Sequence, residues 1–443
     1  LRPPMKRYPA LGRRVQTGPF RVEALPVTHS IMDAACLALQ TPLGLVVHTG
    51  DFRFDPTPID GRATPLHRLA QWGDEGVLLL ASDSTNATRP GAGPSERVVG
   101  PALRQAMAGA KGRVFVTTFA SNMFRVQQIL DAAASNRRKV ALVGHGLERA
   151  VKAMMEIGRL RVRKGLIVSV QEAAKIEPQR LVVIATGSQG ERFAGLTRIA
   201  RGEHPQIKME SGDLVIFSSS IVPGNERQVA HLMDHIYRRG ARVVHAGHNP
   251  SLHVSGHAYA HELKTMIQLV RPRYFMPVHG EYRYLVEHRE LALASGIPYA
   301  HTVIAENGQS VVVDEKGIRL GERFAVGAVL VDAESMEAID RGMLRDRRKI
   351  AEEGMITAIV LLSMAEGKVI GTPQLVERGA LQEDAKHLLE KAAADLAAYL
   401  EEMDREAWQD IEALHEDVRL FVRRWIKKRT GRRPLVVPVV IEV

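Results

Sequence analysis

One cysteine, Cys36, stands in 443 residues. No intramolecular disulfide can form, which excludes the disulfide-stapled secreted scaffolds and makes a cytoplasmic protein the natural reading. Aromatic residues are only 5% of the chain, so its cores must rest on Val, Leu, Ile, Ala and Met. No uncharged apolar run approaches the roughly 18 residues of a membrane span, and no secretory signal pattern opens the chain. Neither G-x-x-x-x-G-K-[ST] nor G-x-G-x-x-G occurs, so a nucleotide-cofactor role is unsupported. The chain opens L-R-P-P-M-K-R at Leu1 rather than at Met, which reads as the interior of a longer one.

What is present is an apolar content of 45% and a net charge of +10. The length allows about two to four domains. The basic balance favours a polyanionic partner, with nucleic acid ahead of a membrane surface.

The richest stretch is Leu252–Glu281, with L-H-V-S-G-H-A at its start and P-V-H-G-E at its end. Its histidines His253, His257 and His279 sit beside small residues. Ser255, Gly256 and nearby backbone N–H groups suit an anion such as phosphate. His279 follows the apolar run before it, which reads as a buried strand. Upstream the same pattern recurs. Phe20–Pro26 reads as a strand leading to His29, Gly44–Thr49 leads to Asp51, and Gly76–Ala81 leads to Asp83. Rigid strand ends are where metal ligands are held in fixed geometry. Imidazole and carboxylate suit zinc or manganese, and such a pair of ions could activate water for phosphoryl displacement. The residues alone therefore point to a metal-dependent phosphodiesterase.

From Ser95 to about Asn249 strands alternate with helices, which predicts a parallel sheet. The loops Thr118–Asn122, Gly144–Gly146 and Thr186–Gly190 lie at its ligand-binding strand ends. Tyr299–Val313 and Arg319–Phe324 read as strands, and Asp332–Arg348 as a polar link. The last hundred residues read as a separate α+β module: strand Ile356–Met364, two helices, strand Leu435–Val443. Trp408, Ile411, Leu414, Val418, Phe421, Val422 and Trp425 fall at helical spacing, and the basic run Arg423–Arg433 follows. That basic end is either a solvated face or an RNA contact. The module could support a homodimer or homotetramer, or stand as a self-contained unit.

Eight motifs appear in order: V-T-H-S-I-M-D at Val27, H-T-G-D-F-R-F-D at His48, S-D-S-T-N-A at Ser82, T-F-A-S-N at Thr118, T-G-S-Q-G-E at Thr186, P-G-N-E at Pro223, H-V-S-G-H-A at His253 and P-V-H-G-E at Pro277. Together with the closing R-R-P-L-V-V-P-V-V-I-E-V they resemble bacterial ribonuclease J. That family is a metallo-β-lactamase-fold nuclease with an inserted β-CASP domain.

The resemblance implies a metallo-β-lactamase αββα sandwich, incomplete at its N-terminus, with an inserted β-CASP α/β domain and a small C-terminal α+β domain. The expected boundaries are 1–94 and 249–328 for the two parts of the first domain, 95–248 for β-CASP, 329–349 for a linker and 350–443 for the C-terminal domain. It implies 5′→3′ exonuclease and endonuclease action on RNA, with two Zn2+ ions. His29, Asp51 and His279 match metal ligands. Asp83 and His257 match catalytic residues, with His257 the candidate acid. The loop His253, Val254, Ser255, Gly256 and His257 matches the substrate-phosphate loop, and Ser121 and Asn122 match an RNA-facing loop. A 5′-monophosphate pocket would favour processed RNA ends.

Departures from the family pattern shape the expectation. The H-x-H-x-D-H motif, which supplies most of the ligands, is nowhere in these residues. Few remaining ligands hold zinc poorly, so little cleavage by this chain alone is expected. Gly144-His145-Gly146 stands where G-R-S is expected, and Phe124 stands in place of His. The alternatives are a non-catalytic RNA-binding or scaffold subunit of an RNA-decay assembly, and a hydrolase of small esters or thioesters. The retained His29, Asp51, His257 and His279 argue against the scaffold. The inserted domain and basic charge argue against the small-substrate hydrolase.

Overall fold

Short runs of aliphatic residues form the strands, and their burial follows from how many faces are covered. The computed structural model describes residues 11–332, 338–363, 366–381, 386–404, 408 and 410–443, and the chain divides after Ala325 into two compact units. In the first unit come β1 (Arg14–Thr17), β2 (Phe20–Pro26), β3 (Ala35–Thr41), β4 (Gly44–His48) and β5 (Val77–Asp83). Then β6 (Val114–Thr117), β7 (Lys139–Val143), β8 (Ile167–Val168), β9 (Leu181–Ala185), β10 (Leu214–Phe217) and β11 (Arg242–Val244) alternate with helices, before β12 (Tyr274–Val278).

One six-stranded sheet has the order β1-β2-β3-β4-β5-β12, and the other β11-β10-β6-β9-β7-β8. The second sheet is parallel throughout and is inserted between β5 and β12 of the first. Its strand L-V-V-I-A at β9 is buried at every position, as a strand covered on both faces must be. One face packs a core that includes Val114, Leu130 and Ile184, and the other a core that includes Phe115, Val183 and Phe217. The first sheet has its own core around Val47, Trp72, Leu80 and Phe275.

A hairpin of β13 (Gln309–Asp314) and β14 (Gly317–Arg323) closes the unit. The expected strand from Tyr299 is thus shorter at its start. Tyr299–His301 is a single 3-10 turn, and a turn at Gly308, with φ +81°, precedes β13.

In the second unit β15 (Met355–Ser363) pairs antiparallel with β16 (Lys368–Val369) and β17 (Gln374–Arg378), and parallel with β18 (Leu435–Glu442). Helices Lys386–Glu401 and Ile411–Thr430 share a core with the sheet through Leu396, Val418, Trp425 and Ile356. Met364, expected to end the first strand, lies outside the described residues. Trp408 is buried but precedes the second helix rather than opening it. The stretch expected as a polar link carries a helix, Arg341–Glu353. Asp340 caps it, accepting from the Met343 N–H at 3.1 Å. Among the described residues no helix is long and apolar enough to cross a membrane.

Candidate metal centre

The sheet topology explains why residues far apart in sequence meet. β3 runs antiparallel to both β2 and β4, while β4, β5 and β12 run parallel. Hence β2, β4, β5 and β12 all end at one edge. His29 and Asp51 lie three residues beyond β2 and β4, Asp83 ends β5, and His279 follows β12. His257 reaches the same edge from the loop before helix Ala260–Val270. One ligand atom from each of Asp51, Asp83, His257 and His279 lies within 4.8 Å of the others.

Asp83 is the hub. Its carboxylate accepts from His257 Nδ1 at 2.7 Å and from His279 Nδ1 at 3.2 Å. The Thr85 hydroxyl and N–H donate to it at 2.7 and 3.0 Å. Burial opposes the charge, but the histidine hydrogen bonds outweigh it and hold the carboxyl well below the usual carboxylate range. The same bond to Asp83 raises the pKa of His279 above its ordinary value. His279 takes a left-handed backbone, φ +54°, a strained conformation for a non-glycine residue. The Ser84 N–H donates to its carbonyl at 3.2 Å, which helps hold that conformation.

His29 is oriented from its far side. Its Nδ1 lies 2.8 Å from the Gly256 carbonyl, which can only accept, so Nδ1 carries the proton. Its Nε2 lone pair then faces Asp51, 3.8 Å away. Burial lowers the His29 pKa and favours this neutral form. Gly256 is required here, because a Cβ would fall 2.7 Å from the His29 ring. Imidazole nitrogens and carboxylates at one edge, with fixed tautomers behind them, form a donor set that fits a zinc-type ion.

The loop beside these donors is tied down at several points. The Ser255 hydroxyl accepts from Asn86 Nδ2 at 2.8 Å and from the His257 N–H at 3.2 Å. Arg53 Nη1 donates to the Ser255 carbonyl at 2.9 Å. His253 stands further back, with a buried Nε2 that has no hydrogen-bond partner among the described residues.

Comparison with known proteins identifies the lineage. The family described as "Ribonuclease J, beta-CASP domain" matches residues 111–236, and "Ribonuclease J C-terminal domain" matches residues 342–443. "Zn-dependent metallo-hydrolase RNA specificity domain" matches residues 224–303. The ribonuclease J of Mycobacterium tuberculosis is 40% identical over 433 residues, covering 98% of this chain and 77% of the relative. The chain belongs to the ribonuclease J family. The ribonuclease J proteins of Corynebacterium glutamicum and Synechocystis are each 38% identical, and the matches cover 96% and 94% of this chain. The chain spans 59% and 66% of the length of those two relatives. The mixed α/β fold, with its β-CASP and C-terminal ribonuclease J domains, is consistent with the metallo-β-lactamase organisation that the resemblance implied.

Against the residues expected from the ribonuclease J pattern, the structure gathers His29, Asp51, Asp83, His257 and His279 at one edge, with Ser255 and Gly256 beside them. Val254, expected in the phosphate loop, is 2% exposed and packs in the parallel-sheet core. Asn122 is buried, and its carboxamide oxygen caps helix Met123–Ser135 by accepting from the Arg125 N–H at 3.0 Å. Ser121 is exposed next to it.

Sequence reasoning missed Thr85, Asn86, Arg53 and Arg125. Thr85 and Asn86 lie inside the S-D-S-T-N-A motif, where a hydroxyl and an amide directly after the acid were the available signal. Arg125 gave none. It is fully buried, with Nε donating to Glu96 at 2.8 Å and Nη1 to the Ser218 carbonyl at 2.7 Å and the Leu252 carbonyl at 3.4 Å.

Proposed function

We propose that this chain acts on RNA as part of a metal-dependent ribonuclease, cleaving phosphodiesters 5′→3′ and internally. The observation that carries the reading is the convergence of Asp51, Asp83, His257 and His279 within 4.8 Å. His29, Asp51 and His279 would hold zinc, two ions in the complete centre. Bound there, the metal supplies Lewis acidity toward the phosphate and a water acidified toward neutral pH.

The remaining steps belong to the protein's own groups. His257 Nδ1 donates a hydrogen bond to Asp83, which leaves Nε2 as the ring position from which a proton could pass to the departing oxygen. Asp83 fixes the orientation of the ring. Ser255 and the backbone of Ser255–His257 hold the terminal phosphate, favouring 5′-monophosphorylated single strands. RNA binding fits the net charge of +10, and the single cysteine fits the cytoplasm. Association into dimers or tetramers through the C-terminal unit belongs to the same proposal.

The test measures binding of 5′-monophosphorylated and 5′-hydroxyl single-stranded RNA, with Zn2+ or with EDTA. Tighter, metal-dependent binding of the monophosphorylated strand is expected. Binding indifferent to both metal and 5′ end refutes the reading.

A further inference from the structure

The segment Arg159-Leu-Arg-Val-Arg163 follows helix His145–Glu156 as a bend and loop, and from Leu160 on its burial alternates. Leu160 is 3% exposed and Val162 packs with it against the parallel-sheet core, while Arg161 and Arg163 are exposed. The strip is rigidly held. The Gln127 side-chain oxygen accepts from the Arg161 N–H at 2.8 Å, and its amide donates to the Arg161 carbonyl at 2.9 Å.

The strip lines a cleft of about 680 Å³ between the two sheets, with Arg62, Met32 and Phe124. Asp33 spans the seam, accepting from Arg159 at 2.8 Å and from Arg62 at 3.2 Å. Asp60 and Asp131 also line the cleft, but the Asp131 carboxylate accepts from Gln127 and the Asp60 carboxylate from the Arg62 N–H. Among the described residues, no carboxylate lies at ion-pair distance from Arg161 or Arg163. The cleft continues toward the metal centre. A smaller cavity of about 50 Å³ shares Arg62 and Phe124 with it and is lined by His29, Ser255 and Gly256.

We propose that Arg161 and Arg163 contact backbone phosphates of a single RNA strand several nucleotides away from the end held at Ser255, with Phe124 offering a ring for base stacking. This rests on the ribonuclease reading above. A basic groove with an aromatic platform is how single strands are bound without sequence preference. The planar guanidinium fork is pre-organised for phosphate, so less freedom is lost per hydrogen bond formed.

The test compares the chain with Arg161→Gln/Arg163→Gln in EDTA, where no metal-dependent cleavage occurs. Both residues are exposed, and unchanged thermal melting verifies folding. The ligands are a 5′-monophosphorylated dinucleotide and a long 5′-monophosphorylated oligouridylate. The expected result is weaker oligouridylate binding, with the slope of log affinity against log salt reduced by about 1.4 for two lost contacts. Dinucleotide binding should be unchanged, and Arg161→Lys/Arg163→Lys should keep the salt slope. Equal loss for both ligands, no loss for the oligouridylate, or a lysine variant as weak as the glutamine one overturns the proposal. If the unmodified chain binds neither ligand, in EDTA or with Zn2+, the ribonuclease reading itself falls.

Discussion

Arg125→Met tests whether a buried ion pair stabilises the parallel-sheet body. Arg125 is 0% exposed, and its Nη2 lies 2.7 Å from Glu96, whose side chain is 14% exposed. Methionine keeps most of the volume, so the cavity contribution is small. What is lost is the partner of a largely buried carboxylate and the donor to the Ser218 and Leu252 carbonyls. Glu96 keeps a bond from Gln128 Nε2 at 2.9 Å, which offsets only part of the loss. Breaking one side of a buried pair costs about 3–5 kcal/mol. For a unit of this size that lowers the melting midpoint by roughly 4–7 °C. The assay is thermal and urea unfolding of Arg125→Met, Glu96→Gln and the double variant. The double variant should recover about 1–3 kcal/mol of the single loss, because no uncompensated carboxylate remains. A loss under about 1 kcal/mol in Arg125→Met, or strictly additive effects, would refute the reasoning.

Acid should destabilise the first unit through two histidines. Burial lowers the pKa of His253 and of His288 to about 3. Below about pH 6.5 the unfolded chain gains protons that these folded rings refuse, so stability falls with pH by about 2 kcal/mol per ring near pH 5. Urea unfolding across pH should show this slope, and His288→Gln should remove about 2 kcal/mol of it near pH 5; an unchanged slope refutes the assignment. His279→Ala should lower bound zinc measured by metal analysis, and unchanged stoichiometry would remove it from the ligand set. Ser255→Ala should weaken binding of 5′-monophosphorylated RNA more than of 5′-hydroxyl RNA, and equal effects would remove its phosphate role.

Much of the site was legible because it hangs on strand ends. An apolar run followed by an acid or a histidine marks such a position locally, and β4, β5 and β12 each carry that mark before Asp51, at Asp83 and before His279. Their convergence depends on the parallel pairing of these strands, which local pattern cannot supply. Arg125 was hidden for the opposite reason. An arginine in the first turn of an amphipathic helix reads as a surface residue, and its burial is set by Glu96, Ser218 and Leu252, all distant in sequence. Val254 was expected in the phosphate loop from its motif, and a motif carries no signal of which of its residues are buried. Its neighbour Leu252 is also buried, so alternate residues of the loop point into the core.

That alternation gives the loop its mechanical role. Leu252 and Val254 are anchored in the core of the parallel sheet, whereas Ala258 belongs to the core of the first sheet. Residues 255–257 therefore bridge two separately packed bodies within one unit. The Ala258 N–H donates to the Phe52 carbonyl at 2.7 Å on one side, and Arg125 reaches the Leu252 carbonyl on the other. A shift of one sheet against the other would move Ser255 relative to Asp51 and His279, which belong to the first sheet alone. Asp33 with Arg159, and Asp55 with the Ser95 hydroxyl, are among the side-chain ties that oppose such a shift. Loosening them should therefore act first on the placement of phosphate relative to the donors, leaving the donor cluster itself intact.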